Sequence, residues 1–306
     1  MAKYIVKRLL QALLVLFLAA LLTFILVNVA PGDPVNVMLQ KKADAQTIER
    51  VRHELGLDVP LPQQFFNFIK GAVRGDLGNS YFQKTPVTGI VMKGFRITSR
   101  ISFSALLLST AIGLVIGTAA AIWRNKWPDH LLRVLAMLGI SAPVFWIAVI
   151  LQLIFGVKLA ILPISGTDKA GWLILPVICL GIQYGASSAR LVRTNMIEVL
   201  SQDYVRTARS KGLSEGKVVF IHVLKNAAIS IVTLIGLQLS QLISGAMVVE
   251  NVFSLYGIGK ITYHAIYSRD LPLIQGCVMF VAAVYVVINL LIDLLYGVLD
   301  PRVRLS

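Results

Sequence analysis

YVRTARSKGL, residues 204–213, is a basic, hydrophilic stretch in a chain that is 57% hydrophobic and 14% charged. Apolar runs flank it, and residues 174–188 and 227–249 each read as a membrane span. A charged island persists between two spans where water or a soluble partner meets it. The stretch therefore points to a multi-spanning membrane protein with a docking surface on one face.

The remaining apolar runs agree. Six candidate spans cover residues 9–29, 101–123, 131–160, 174–192, 227–251 and 273–297. Several exceed the roughly 20 residues that cross about 30 Å of hydrocarbon as a helix. Backbone groups in lipid must pair internally, and continuous apolarity without a period of two selects helices over a barrel. The expected fold is an all-α polytopic membrane protein with six transmembrane helices. The first run follows Lys3, Lys7 and Arg8 and imitates a signal peptide. At 21 residues it is longer than an h-region, and Asn28 spoils a cleavage site before Pro31, so it is read as a retained span.

Lysine and arginine set the orientation. With both termini in the cytoplasm, fifteen of the 29 basic residues fall in cytoplasmic pieces and four in the two short external loops. The other ten lie in residues 31–100, a segment long enough to escape the rule. The net charge of +14 thus reads as topology and lipid-bilayer contact, with no nucleic-acid partner. Cys179 and Cys277 sit in apolar runs without metal-ligand neighbours and read as packing residues.

The chain divides into an N-terminal end and first helix (1–30), an extracytoplasmic helical insertion (31–100), a five-helix core (101–300) and a cytoplasmic tail (301–306). In the insertion, PGDP (31–34) ends the first span, residues 44–55 read as a helix closed by Gly56, a second helix carries Phe65 to Val73, and GDLGNS (75–80) is a turn. Pro143, in SAPVFW (141–146), marks a kink in the third span. Gly113 and Gly117 permit close helix approach. Polar residues at membrane depth are few, which argues against ion-driven transport. Pro143, Phe145, Trp146, Gln183, Tyr184, Gln238 and Gln241 are candidates for lining a translocation pathway. His53, His130, His222 and His264 are scattered, and no nucleophile pairs with a base, so the chain does not read as an enzyme.

The loop 193–226 carries six basic against three acidic residues, a net of +3. Tyr204, Val205 and Ala208 are spaced to share a face of a short helix that Gly212 can end. The piece 215–223 then returns the chain to the membrane. This helix–glycine–helix resembles the coupling loop of ATP-binding-cassette importer permeases. There, an alanine followed by a glycine marks the helix that sits on the ATPase; Ala208 and Gly212 match. The motif's glutamate is absent, with Arg206 and Thr207 before Ala208, as in the peptide/nickel branch, and Ser210 replaces the branch's usual alanine. The resemblance extends through APGDP (30–34), ELGLDVPL (54–61), GDLG (75–78), WRNKWPD (123–129), ILP (174–176), VVENVF (248–253), YGIG (256–259), RDLPLIQ (269–275) and NLLIDLLYGVLDPR (289–302). Together these are similar to the first permease of dipeptide, oligopeptide, glutathione and nickel importers.

The resemblance implies a type I ABC importer-like permease in the cytoplasmic membrane of a bacterium, working by alternating access. Its implied partners are a second homologous permease, two cytosolic ABC ATPase subunits and an extracytoplasmic solute-binding protein. No phosphate-binding G-x-x-x-x-G-K-[ST] occurs, so ATP and Mg are expected on the partner ATPases and no cofactor on this chain. Glu198, Tyr204, Arg206, Thr207, Ala208, Arg209, Lys211 and Gly212 are the implied coupling residues. Leu255, Tyr256, Gly257, Gly259, Arg269 and Asp270 are candidates for binding-protein contact. Short peptides are the expected cargo. Alternatives are a nickel or metal-chelate permease of the same family and a stand-alone secondary transporter; no internal repeat supports the latter.

Overall fold

The computed structural model describes residues 2–29, 32–39 and 44–299. Ala30 and Pro31 of the expected turn, and the tail with Arg302 and Arg304, lie outside the described residues. The described elements are helical apart from an isolated bridge between Asn79 and Pro86. In order they are α1 (Ala2–Val29), α2 (Pro34–Met38), α3 (Ala45–Glu54), α4 (Leu61–Val73), α5 (Val87–Ile122), α6 (Trp127–Ser141), α7 (Val144–Leu151), α8 (Ile174–Leu200), α9 (Asp203–Ser210), α10 (Glu215–Lys217), α11 (Leu224–Gly245), α12 (Met247–Val252), α13 (Ile258–Ser268) and α14 (Leu271–Leu299). π-helical turns extend α7 through Lys158 and join α10 to α11.

Four helices are long and apolar enough to cross a membrane unbroken: Val6–Val29, α5, α8 and Leu271–Asp293. Two bent pairs bring the total to six. The third span, expected as one kinked helix, is two helices at 98°. Pro143 has no N–H to donate and disfavours a helical residue before it, so Ala142 is extended (ψ 127°) and α7 starts afresh. The fifth span bends by 55° between Glu215–Ala227 and Ile231–Ile243. α5 starts well before the expected residue 101: its 36 residues span about 54 Å, more than the hydrocarbon of a bilayer. α8 likewise runs on to Leu200 rather than stopping at 192.

The chain forms two compact units. One comprises residues 2–98 and 256–287. Here Asp33 caps α2 by accepting the Val35 N–H at 3.0 Å, and its other oxygen takes the Arg52 guanidinium at 2.5 Å. α3 ends with Gly56 left-handed (φ +63°), and Phe65 of α4 meets Phe24 of α1 edge-on at 5.2 Å. A buried cluster of Val87, Val91, Ile258, Ile261, Leu273 and Cys277 forms the core. At its margin Asp270 caps α14 and accepts from the Ser80 hydroxyl and the Tyr81 N–H. Burial, with the Asp270 charge beside it, pushes the Tyr81 phenol up to about 12.

The other unit comprises residues 99–255 and 288–299. α8 is its central post, packed against α6, α7 and α11. Close approach depends on small residues. Gly113 abuts Ser188, and a Cβ on Gly117 would lie 2.7 Å from the Ala189 carbonyl oxygen, so the glycine pair does what its spacing predicts. Gln238 of α11 knits three helices together. Its amide donates to the Ser188 hydroxyl at 2.7 Å and the Tyr184 carbonyl at 3.1 Å, and its oxygen accepts from Ser109 of α5.

Candidate coupling site

α9 is an eight-residue helix bounded by turns on both sides. Val205 and Ala208, three residues apart, are buried in a cluster with Ala121, Val192, Met196, Val218, Val219 and Val223. Tyr204 is rotated by one residue from that face and is 43% exposed, so the expected Tyr204–Val205–Ala208 face is corrected to Val205 and Ala208 alone. Tyr204, Arg206, Thr207, Ser210 and Lys211 point away from the cluster. The Thr207 and Ser210 hydroxyls donate back to the carbonyls of Asp203 and Arg206, four residues earlier.

The end of α9 is a Schellman motif. The Gly212 N–H donates to the Arg209 carbonyl at 2.9 Å and the Leu213 N–H to the Ala208 carbonyl at 3.4 Å, with Gly212 left-handed at φ +78°. Leu213 packs on the same cluster as Ala208, the apolar contact that accompanies this cap. Arg209 then reaches over the turn to Glu215, with Nε to Oε1 at 2.8 Å and Nη2 to Oε2 at 3.1 Å. Its guanidinium is thus spent within the chain, holding α9 against α10. Glu198 is exposed near the end of α8.

One element of the site was not singled out in the sequence. Asp129, at the start of α6, is fully buried and takes Arg193 of α8 in a two-pronged pair, both contacts at 2.7 Å. The Asn125 N–H donates to the same carboxylate at 2.9 Å, and Arg133 Nε lies 3.4 Å away. Ten residues separate Arg193 from Asp203, and α8 covers most of them, so this pair positions the helix that delivers α9. In the sequence Asp129 lies within WRNKWPD and Arg193 among the charges of the 193–226 loop, and their separation of 64 residues hides the pairing.

The pathway candidates scatter. Pro143 stands at the break between α6 and α7, Phe145 and Trp146 are exposed on α7, Gln183 and Tyr184 are half-buried, and Gln241 is exposed. Gln238 is buried and bonded as described. Of the binding-protein candidates, Leu255, Gly257 and Asp270 are buried and Gly259 half-buried; Arg269, in a left-handed conformation, donates to the Gly32 carbonyl at 3.0 Å. Tyr256 is 64% exposed. The last loop is not a plain turn but helix α13, which adds exposed Tyr263, Ile266 and Tyr267. Their i, i+3, i+4 spacing was the available signal.

Two family models match the chain: the N-terminal region of binding-protein-dependent transport system membrane components over residues 1–102, and the binding-protein-dependent transport system inner membrane component over residues 113–305. The chain belongs to this permease family. Among its curated relatives, the glutathione transport system permease protein GsiC of Escherichia coli O6:H1 is 41% identical over 304 residues, covering 99% of both chains. GsiC of Escherichia coli K12 and of Shigella flexneri serotype 5b are each 40% identical over the same length and coverage. The inward-facing MetNI methionine ABC transporter matches with a TM-score of 0.53 at 20% identity, covering 70% of this chain and 95% of that one. An amino acid ABC transporter solved with histidines gives 0.52 at 18%, over 70% and 94%. The fold is that of a type I ABC importer permease, and this member of the family is a multi-pass inner-membrane transport component.

Proposed function

We propose that this permease imports short peptides of the glutathione or dipeptide class, paired with a second permease and driven by two cytosolic ATPases that press on α9. The observation that carries the reading is the construction of α9. It is anchored by Val205 and Ala208, closed by Gly212 and clamped by the Arg209–Glu215 pair, so that Tyr204, Arg206, Thr207 and Lys211 project together from a rigid base. Asp129 and Arg193 position α8 behind it. ATP and Mg belong on the ATPases. In the unit of residues 2–98 and 256–287, Tyr256 and the exposed tyrosines of α13 are the contact proposed for the solute-binding protein. Full-length identity to glutathione permeases supports the peptide class of cargo.

The test is mild-detergent isolation of the tagged chain from its native membrane, followed by reconstitution. Co-isolation of a second permease and ATPases, with uptake of a labelled short peptide that needs ATP, is the expected result. Uptake by the isolated chain without ATP would overturn the reading. Orientation is tested separately. A cysteine replacing Ser210 is expected to react with a membrane-impermeant maleimide in inside-out vesicles and not in intact cells; labelling in intact cells would invert the proposed topology.

A further inference from the structure

Within the unit of residues 99–255 and 288–299, a groove of about 110 Å³ runs between the end of α5, residues 132–140 of α6 and residues 189–193 of α8. Its walls are apolar: Ile116 and Ala120 from α5, Ala136 and Ile140 from α6. At one end stand Arg133 and Arg190, beside the Asp129–Arg193 pair.

The charges there do not balance. Two guanidinium groups, those of Arg193 and Arg133, share the single carboxylate of Asp129, whose two oxygens both accept hydrogen bonds from Arg193, and Arg190 adds a third positive charge to the groove. Arg133 Nε is buried without a hydrogen bond, 3.4 Å from Asp129, while its Nη2 meets His130 Nδ1 at 2.8 Å, and among the described residues no carboxylate pairs with Arg190. Cations at membrane depth are expensive unless an anion meets them. Trp123 and Trp127, 45% and 75% exposed in the turn that opens α6, mark the headgroup level, where indole rings collect. An apolar groove that ends in more guanidinium than carboxylate charge, with Arg133 less than two helical turns along α6 from Trp127, fits a molecule with a long apolar body and an anionic head.

We infer that this groove binds an anionic phospholipid, its phosphate accepting hydrogen bonds from Arg133 and Arg190 and an acyl chain lying along α6. The apolar wall distinguishes it from a free-phosphate site, and basic recesses between transmembrane helices take such headgroups. The groove borders the Asp129–Arg193 pair but includes no residue of α9, so it stands whether or not α9 docks on an ATPase.

Native mass spectrometry of the delipidated full-length chain, titrated with phosphatidylglycerol or phosphatidylethanolamine, tests it. The wild-type chain is expected to prefer phosphatidylglycerol. R133Q/R190Q should weaken phosphatidylglycerol binding about thirty-fold, equivalent to about 2 kcal/mol for two basic side chains, and weaken phosphatidylethanolamine less, because its ammonium already offsets the phosphate charge. A136L, which fills the groove, should weaken both lipids while keeping the headgroup preference of whatever binds. Equal phosphatidylglycerol affinity in the wild-type chain and R133Q/R190Q would overturn the proposal. So would displacement of phosphatidylglycerol by millimolar inorganic phosphate, or efficient disulfide cross-linking of M137C to a second permease, which would make the occupant a protein.

Discussion

Asp129→Ala is expected to destabilise the permease by about 3–5 kcal/mol, the cost of leaving one member of a buried ion pair without the other. Asp129 is fully buried, and Arg193 is 18% exposed, so little water can replace the lost carboxylate. In the purified chain the loss should lower the melting temperature on the order of 10 °C. D129L/R193L is the informative partner variant. An apolar pair of similar volume removes both charges together, so it should recover most of the stability. Melting of D129A at the wild-type temperature would show that Arg193 finds another counter-charge and that the pair does not hold α6 to α8.

The double variant separates two roles. If the pair matters only as glue, D129L/R193L restores uptake along with stability. If the two-pronged geometry sets the angle at which α8 hands the chain to α9, stability returns and uptake does not. Arginine's planar fork makes the second outcome the expected one, because leucines pack without fixing a direction.

How much of this was legible beforehand follows from the range of each interaction. The spans came from composition, and the glycine pair 113/117 and the cap at Gly212 from local spacing; the glycines appear where the sequence puts them, and each apolar run is helical, though α5 begins 14 residues before its apolar run. The end of α8 did not. Apolarity fades at Arg190 and Arg193, and a span read from hydropathy stops there; the helix continues because Arg193 is neutralised by Asp129 from a distant segment. Pro143 announced a kink but not a 98° break, since the angle depends on where α7 finds packing. Tyr204 reads as sharing a face with Val205 and Ala208 because 204 and 208 are one turn apart. Val205 and 208, also within a turn, bury the smaller and more apolar surface, and the tyrosine stays out. Asp270 and Arg269 looked like exposed loop charges, yet Asp270 is a buried cap, its partner Ser80 lying 190 residues away. Long-range pairings leave no periodic trace in one sequence.

Gly212→Val is expected to uncouple ATP hydrolysis from uptake while the permease still inserts and folds. No atom lies within 4 Å of a Cβ built on Gly212, so the substitution meets no steric clash. The effect must come from the backbone, which stands at φ +78°, where a β-branched residue is a rare outlier. Strain of about 1–2 kcal/mol shifts the balance between capped and uncapped α9 by roughly five- to thirty-fold. The chain can relieve it by giving up the two bonds of the Schellman motif, which frees Leu213 from Ala208 and loosens the base from which Tyr204, Arg206, Thr207 and Lys211 project. Uptake per ATP hydrolysed by the reconstituted transporter should fall within that range, with basal hydrolysis retained. Gly212→Asn should stay close to wild type, because asparagine tolerates the left-handed region, and Gly212→Ala should fall between them. That order, Asn above Ala above Val, ties the loss to backbone conformation rather than to side-chain size. Full uptake by G212V would remove α9 from the coupling path.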